Sequence, residues 1–202
     1  MSDLPKSIHI HEEGPREGFQ FEKGVIPTAA KVELIEALAE TGLTEIQTVS
    51  FVNPKRVPGM ADADEVVRKI RKKDGVKYSG LWLNEQGLHR ALASGKIDVK
   101  GRIVLCASEP FLRRNQNATL EQMVASQKDM IGVYRKNSIP IEEGAVQAAF
   151  GCNFQGEVPV RSVLDIVDRI LSVAAEHDIE LKNLVLADTM AWATPRRIRE
   201  VV

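Results

Sequence analysis

The feature that most constrains this 202-residue chain is a repeated succession of short apolar runs, each followed by a longer stretch with helical spacing of its apolar residues. Runs of strand length fall at about Ser7–Glu12, Glu45–Phe51, Tyr78–Leu83, Arg102–Ala107, Gly144–Phe150 and Asn183–Asp188. Between them, Lys31–Glu40 places Val32, Ile35, Leu38 and Ala39 on one face, with Gly42 where a helix stop belongs. Acids at Asp62–Asp64 precede a helical Glu65–Lys72, Thr119 with Gln122 has the form of a capping box, and Thr194-Pro195 sets a cap before proline at the first helical position. Val160–Ala175 brings Val163, Val167, Ile170 and Leu171 to one side. Strict β/α alternation implies right-handed crossovers and a parallel sheet covered by helices, either an open doubly wound sheet or a closed barrel. The chain reads as a single α/β domain over 1–202.

Composition narrows the function. With 44% hydrophobic and 27% charged residues the chain is an ordinary globular sequence, and its net charge of −1 offers no general attraction to nucleic acid or an anionic membrane. No stretch approaches the ~20 apolar residues of a membrane span, and the start lacks the apolar core of a secretory signal, so a cytoplasmic enzyme is expected. Cys106 and Cys152 each lie in an apolar run and read as buried thiols.

Neither a G-x-G-x-x-G after the first strand nor a P-loop is present, which argues against a nucleotide-binding sheet. In parallel α/β architectures the ligand site forms at the C-terminal ends of the strands. The polar residues there are Arg16, Glu17, Gln20 and Lys23 in a glycine- and proline-containing loop; Gln47, Thr48 and Ser50; Asn84; Ser108 and Glu109; Gln147 and Asn153; and Asp188 with Thr189. Glu17 and Asp188 offer hard oxygen ligands for Mg²⁺ or Mn²⁺, and Arg16 offers a cation for a developing enolate oxygen. The structural alternative is that Arg16 and Asp188 make ion pairs or hydrogen bonds at the rim. His9-x-His11 could chelate a metal from one strand face, although it precedes the strand's C-terminal end. His89 and His177 fall on helical segments and read as surface residues, and Lys55-Arg56 reads equally as a phosphate contact or a solvated loop.

Gly14-Pro-Arg-Glu-Gly-Phe-Gln-Phe-Glu-Lys23 is similar to the G-P-R-D-G-L-Q-x-E-K segment of the hydroxymethylglutaryl-CoA lyase family. Thr48-Val-Ser-Phe-Val-Asn-Pro-Lys-Arg-Val-Pro58 resembles that family's T-x-S-F-V-S-P-K-x-V-P, Gly151-Cys-Asn-Phe-Gln-Gly156 its G-C-P-Y-x-G, and Ala187-Asp-Thr-Met190 through Thr194-Pro195 its G-D-T-I-G-x-x-T-P. The resemblance implies a (β/α)₈ TIM barrel that uses a divalent metal, Mg²⁺ or Mn²⁺, to cleave a 3-hydroxy-3-methylglutaryl thioester into acetyl-CoA and a ketoacid. It implies Arg16 at the enolate oxygen, Asp188 near the hydroxyl and Glu17 on the metal, with Gln20, Lys23, Gln47 and Ser50 supporting the substrate. The implied partners are an acyl-CoA and a second copy in a homodimer, with neither nucleic acid nor membrane. Glu17 stands where the family has aspartate, and Gln47 where it usually has glutamate.

About six β/α units fit in this chain, an incomplete barrel whose first and last strands would be open edges. The family's H-x-H pair and its G-L-G-G-C-P loop have no counterpart here. A condensing synthase or a carboxyltransferase sharing the barrel, and a non-catalytic remnant, are the competing readings. The 202-residue chain by itself is expected to be inactive or nearly so, and robust metal-dependent turnover of a hydroxyacyl-CoA by the purified chain would overturn that expectation.

Overall fold

The computed structural model describes residues 6–202, which divide into two compact units, one up to Val99 and one from Lys100 to Val202. Both are built from parallel β/α units.

In the first unit, β1 (His11–Glu12), β2 (Glu45–Ser50) and β3 (Lys77–Leu81) pair in parallel in that order. Ile46 stands opposite Glu12 on one side and Tyr78 on the other. As the central strand, β2 is buried on both faces from Ile46 to Ser50, the condition expected of a parallel strand beneath crossover helices. Helices α2 (Thr28–Ala39) and α3 (Ala63–Lys69) cover it, burying Ile35, Ala39, Ala63, Val66 and Val67. The anticipated Lys31–Glu40 helix thus begins earlier, and Gly42 follows it in the left-handed region at φ 92°. Glu85–Ala93 forms α4, capped by Asn84, whose side chain accepts from Gly87 N at 2.9 Å.

Three expectations fail in this unit. The first strand is two residues long rather than Ser7–Glu12, because only His11 and Glu12 find ladder partners on β2. The polar loop after it is helix α1 (Gly14–Phe21): two glycines mask its propensity, while Pro15 sits in the first turn, where no amide donor is needed. Packing decides the matter. Alpha1 lies against β2 and the 3₁₀ turn Pro58–Met60, so closely that a Cβ on Gly59 would stand 2.7 Å from the carbonyl oxygen of Phe19. Finally, the helix expected at Glu65–Lys72 runs Ala63–Lys69, with acids in its first turn as expected, and Asp62 at its N-cap position makes no side-chain cap bond. Its carboxylate instead accepts from the buried Lys31 ammonium at 2.6 Å and from the Thr28 hydroxyl at 2.8 Å.

In the second unit the parallel order is β4 (Gly101–Cys106), β5 (Ile141–Gln147) and β8 (Asn183–Leu186). Helices α5 (Glu109–Gln116), α6 (Leu120–Lys136) and α7 (Val160–Glu176) bury Leu112, Ile131, Val163 and Ile170 with Ile103, Leu105 and Val146 of the strands. The strand expected at Gly144–Phe150 is displaced toward the N-terminus, and Gly151–Cys152 (β6) pairs antiparallel with Gly156–Glu157 (β7) in a small hairpin that alternation of apolar runs did not announce. Helix α8 (Pro195–Val201) begins as expected, with Thr194 accepting from Arg197 N at 3.2 Å. Beta1 and β8 end their sheets, and Leu184 and Val185 on β8 are about two-fifths exposed, at 43% and 39%.

The capping box at α6 is present in both directions: Gln122 N donates to Thr119 Oγ1 at 3.3 Å, and Thr119 N to Gln122 Oε1 at 2.8 Å. Thr119→Ala is expected to cost about 1 kcal/mol, read as a lowered urea midpoint at unchanged slope.

Candidate functional site

Within the first unit, α1 carries Arg16 and Glu17 one helical turn past the end of β1, with the C-terminal half of β2 alongside. The Arg16 side chain is only 13% exposed. Its Nε donates to Gln47 on β2, its Nη1 to Glu17 and its Nη2 to Glu13, so three oxygens from two elements fix the plane of the guanidinium. Gln47 is 2% exposed, and its amide oxygen stands behind Arg16, giving it the part of a positioning residue. Ser50, fully buried, donates to Gln20 and ties the end of α1 to the end of β2. Lys23 stands exposed beyond α1. The sequence therefore named five residues that the fold does bring together, namely Arg16, Glu17, Gln20, Gln47 and Ser50. It missed Glu13, an i,i+3 partner of Arg16 that only the helical form of this segment reveals.

Within the second unit the strand ends gather Ser108, Gln147, Asp188 and Thr189. Asp188, two residues beyond β8 and exposed, accepts from the backbone amides of Trp192 at 2.7 Å and Ala193 at 3.0 Å. One carboxylate thereby closes the turn in which Ala191 has φ 57°. Thr189 Oγ1 accepts from Ala148 N at 2.9 Å, locking this turn to the end of β5. The Trp192 indole packs on Gly151 of the hairpin and donates to Asn153 Oδ1 at 2.9 Å. Ser108 caps α5 from Phe111 N at 3.3 Å, and its hydroxyl meets Cys152 Sγ at 3.0 Å and Gln155 Oε1 at 2.7 Å. Both cysteines are free and buried, as expected. Burial, reinforced by the neighbouring Cys152 and opposed by the hydrogen bond from Ser108, pushes the Cys106 thiol up to about 11, so it is protonated at neutral pH.

The His9-x-His11 pair is not a chelate on one strand face. His9 precedes the strand, and the two imidazoles approach Glu45 at 3.5 and 4.0 Å near the N-terminal end of β2. No group of three or more His, Cys, Asp or Glu side chains able to hold a metal occurs among the described residues. Glu17 offers a single carboxylate, already engaged by Arg16 Nη1, and one such donor does not compose a metal site. Nor is any helix among the described residues long and apolar enough to cross a membrane.

Residues 7–202 match the family model described as HMGL-like. The chain belongs to the HMGL-like family. It is 35% identical over 202 residues to the mitochondrial hydroxymethylglutaryl-CoA lyase of Rattus norvegicus, covering 100% of this chain and 59% of that protein. To the cytoplasmic 3-hydroxy-3-methylglutaryl-CoA lyase of Mus musculus it is 36% identical over 195 residues, 96% of this chain and 54% of the relative. A solved HMG-CoA lyase from Acinetobacter baumannii, in complex with coenzyme A and 3-methylmalate, superposes with a TM-score of 0.82 at 29% identity over 100% of this chain and 63% of its own. The chain thus spans between about half and two thirds of the length of these relatives, and its parallel β/α units align with part of a TIM barrel.

Because Asp188 holds two backbone amides, Asp188→Ala is expected to lower stability by about 1–2 kcal/mol, while Asp188→Asn, which keeps an acceptor, costs less. Thermal unfolding of the two variants measures the difference, and equal Tm values for Asp188→Ala and the parent chain would remove the turn-closing role.

Proposed function

We propose that this chain supplies the enolate-stabilising part of a carbon–carbon lyase that cleaves a 3-hydroxy-3-methylglutaryl-CoA-like thioester to acetyl-CoA and a ketoacid. The observation that carries the reading is the oriented, largely buried guanidinium of Arg16 beside the end of a parallel strand, with Glu17 next to it. The reaction is a retro-Claisen cleavage. A general base takes the C3 hydroxyl proton, the oxygen electrons form the ketone, and the C2–C3 pair moves into the thioester as an enolate that takes a proton at C2 from a general acid. Negative charge therefore accumulates on the thioester oxygen in the transition state. A cation already held in place by Gln47, Glu13 and Glu17 stabilises that charge without reorganising.

In this reading Gln47 and Glu13 aim Arg16, Gln20 and Ser50 brace α1 against β2, and Lys23 lies where a charged part of a coenzyme A thioester would meet solvent. Asp188 holds the turn that borders the second unit's strand ends, each of its carboxylate oxygens accepting a backbone amide. A divalent ion, Mg²⁺ or Mn²⁺, when bound would polarise the substrate oxygens, with Glu17 as the ligand this chain offers it.

Titration calorimetry of 3-hydroxy-3-methylglutaryl-CoA into the chain, with Mg²⁺ present, tests the reading. Arg16→Met is expected to weaken binding by about 10- to 100-fold, the equivalent of one charge-assisted hydrogen bond of about 1.5–3 kcal/mol. Equal affinities for Arg16→Met and the parent, with the variant folded, would refute it.

A further inference from the structure

Helix α1, which carries Arg16, owes little to the hydrophobic core. Of its eight residues only Pro15 is buried, and Glu13 at its N-cap makes no side-chain cap bond. Its place therefore depends on what it leans against. On β2, Gln47 accepts from Arg16 Nε and Ser50 donates to Gln20. The further support is the turn Pro58–Met60, so close that a Cβ on Gly59 would lie 2.7 Å from the Phe19 carbonyl oxygen and 3.9 Å from Gln20 Cα.

That turn is itself held by a buried charge. Lys31 shares a face of α2 with Ile35 and Ala39, and at 4% exposure it fills a position where an apolar side chain would continue the seam without desolvating an ammonium. Its Nζ donates to the Gly59 carbonyl at 2.6 Å and to Asp62 Oδ1 at 2.6 Å, and lies 5.9 Å from the centre of the Phe19 ring. Asp62 is fixed in turn by the Thr28 hydroxyl at 2.8 Å. One ammonium thus joins the Gly59 turn, the start of α3 and α1, which no aliphatic side chain could do. Phe19 stands three residues beyond Arg16, one turn along the same helix.

We infer that Lys31 is a positioning residue: it pins the Gly59 turn, and through that turn the helix that aims Arg16. The consequence for thioester binding rests on the reading of Arg16 given above, whereas the effect on Arg16 itself does not depend on it.

Proton exchange at Arg16 Nε, followed by NMR, tests the positioning directly. In Lys31→Met it should speed up about tenfold, because α1 loosens locally while the backbone amides of β2 keep their protection. Thr28→Val, which removes one support of Asp62, should move the same signal the same way by a smaller factor, and it carries the test should Lys31→Met not fold. An unchanged Arg16 Nε signal overturns the inference. Equal acceleration of Arg16 Nε and the β2 amides makes Lys31 a general stabiliser and also overturns it. Titration calorimetry of 3-hydroxy-3-methylglutaryl-CoA, with Mg²⁺ present, supplies a second test. Lys31→Met should weaken binding about fivefold in the parent chain and change nothing in an Arg16→Met background, since α1 acts on the ligand through its guanidinium. A loss of equal size in both backgrounds overturns the inference. If the parent chain binds no thioester, the thioester reading falls, and the exchange result alone decides whether Lys31 positions Arg16.

Discussion

A parallel strand ends without a tight turn, so the backbone amides just beyond it must find acceptors before the chain enters a helix. That constraint organises the polar side chains of this protein. Glu12 takes the amide of Gly14 at 2.5 Å, Asn53 that of Lys55 at 2.9 Å, Asn84 that of Gly87, Ser108 that of Phe111, Thr189 that of Ala148, and Asp188 those of Trp192 and Ala193. Each of these side chains replaces water on an amide that neither the sheet nor the first turn of a helix supplies with a backbone partner. Polar residues at strand ends are therefore not a functional signal by themselves. They become one when the closure of the turn leaves a charge or an acceptor to spare.

This explains what the sequence made legible. Alternation of strand and helix depends on burial periodicity, which survives in a single chain, so four of the six strands overlap their expected positions closely and the Thr119 and Thr194 caps stand where the pattern put them. The segment Gly14–Phe21 was misread because its helicity comes from contact with β2 and the turn at Gly59, not from its own propensity. The hairpin around Gly151–Glu157 escaped for a related reason: its strands are two residues each, too short for any period to show. At the site, the residue types were readable and their partners were not. Gln47 reads as a substrate contact until the structure sets its amide behind Arg16, and Glu13 has no visible role until the segment becomes a helix.

The two substitutions at the Arg16 cluster belong together. Glu13, Arg16, Glu17 and Gln47 carry a combined formal charge of −1, which would be −2 with glutamate in place of Gln47. Gln47 is 2% exposed, where an additional carboxylate would have to be desolvated beside two others. A neutral amide still accepts from Nε and still orients the guanidinium without that penalty. Glu17, one methylene longer than aspartate, reaches back to Nη1 from within the same helical turn. The longer carboxylate and the lost charge thus act on a single object, the orientation and field of one guanidinium. The cluster keeps a negative surplus that favours a cation close by, but a smaller one than a third carboxylate would give. Attraction for a metal ion is therefore weakened at the same residues that hold Arg16 rigid.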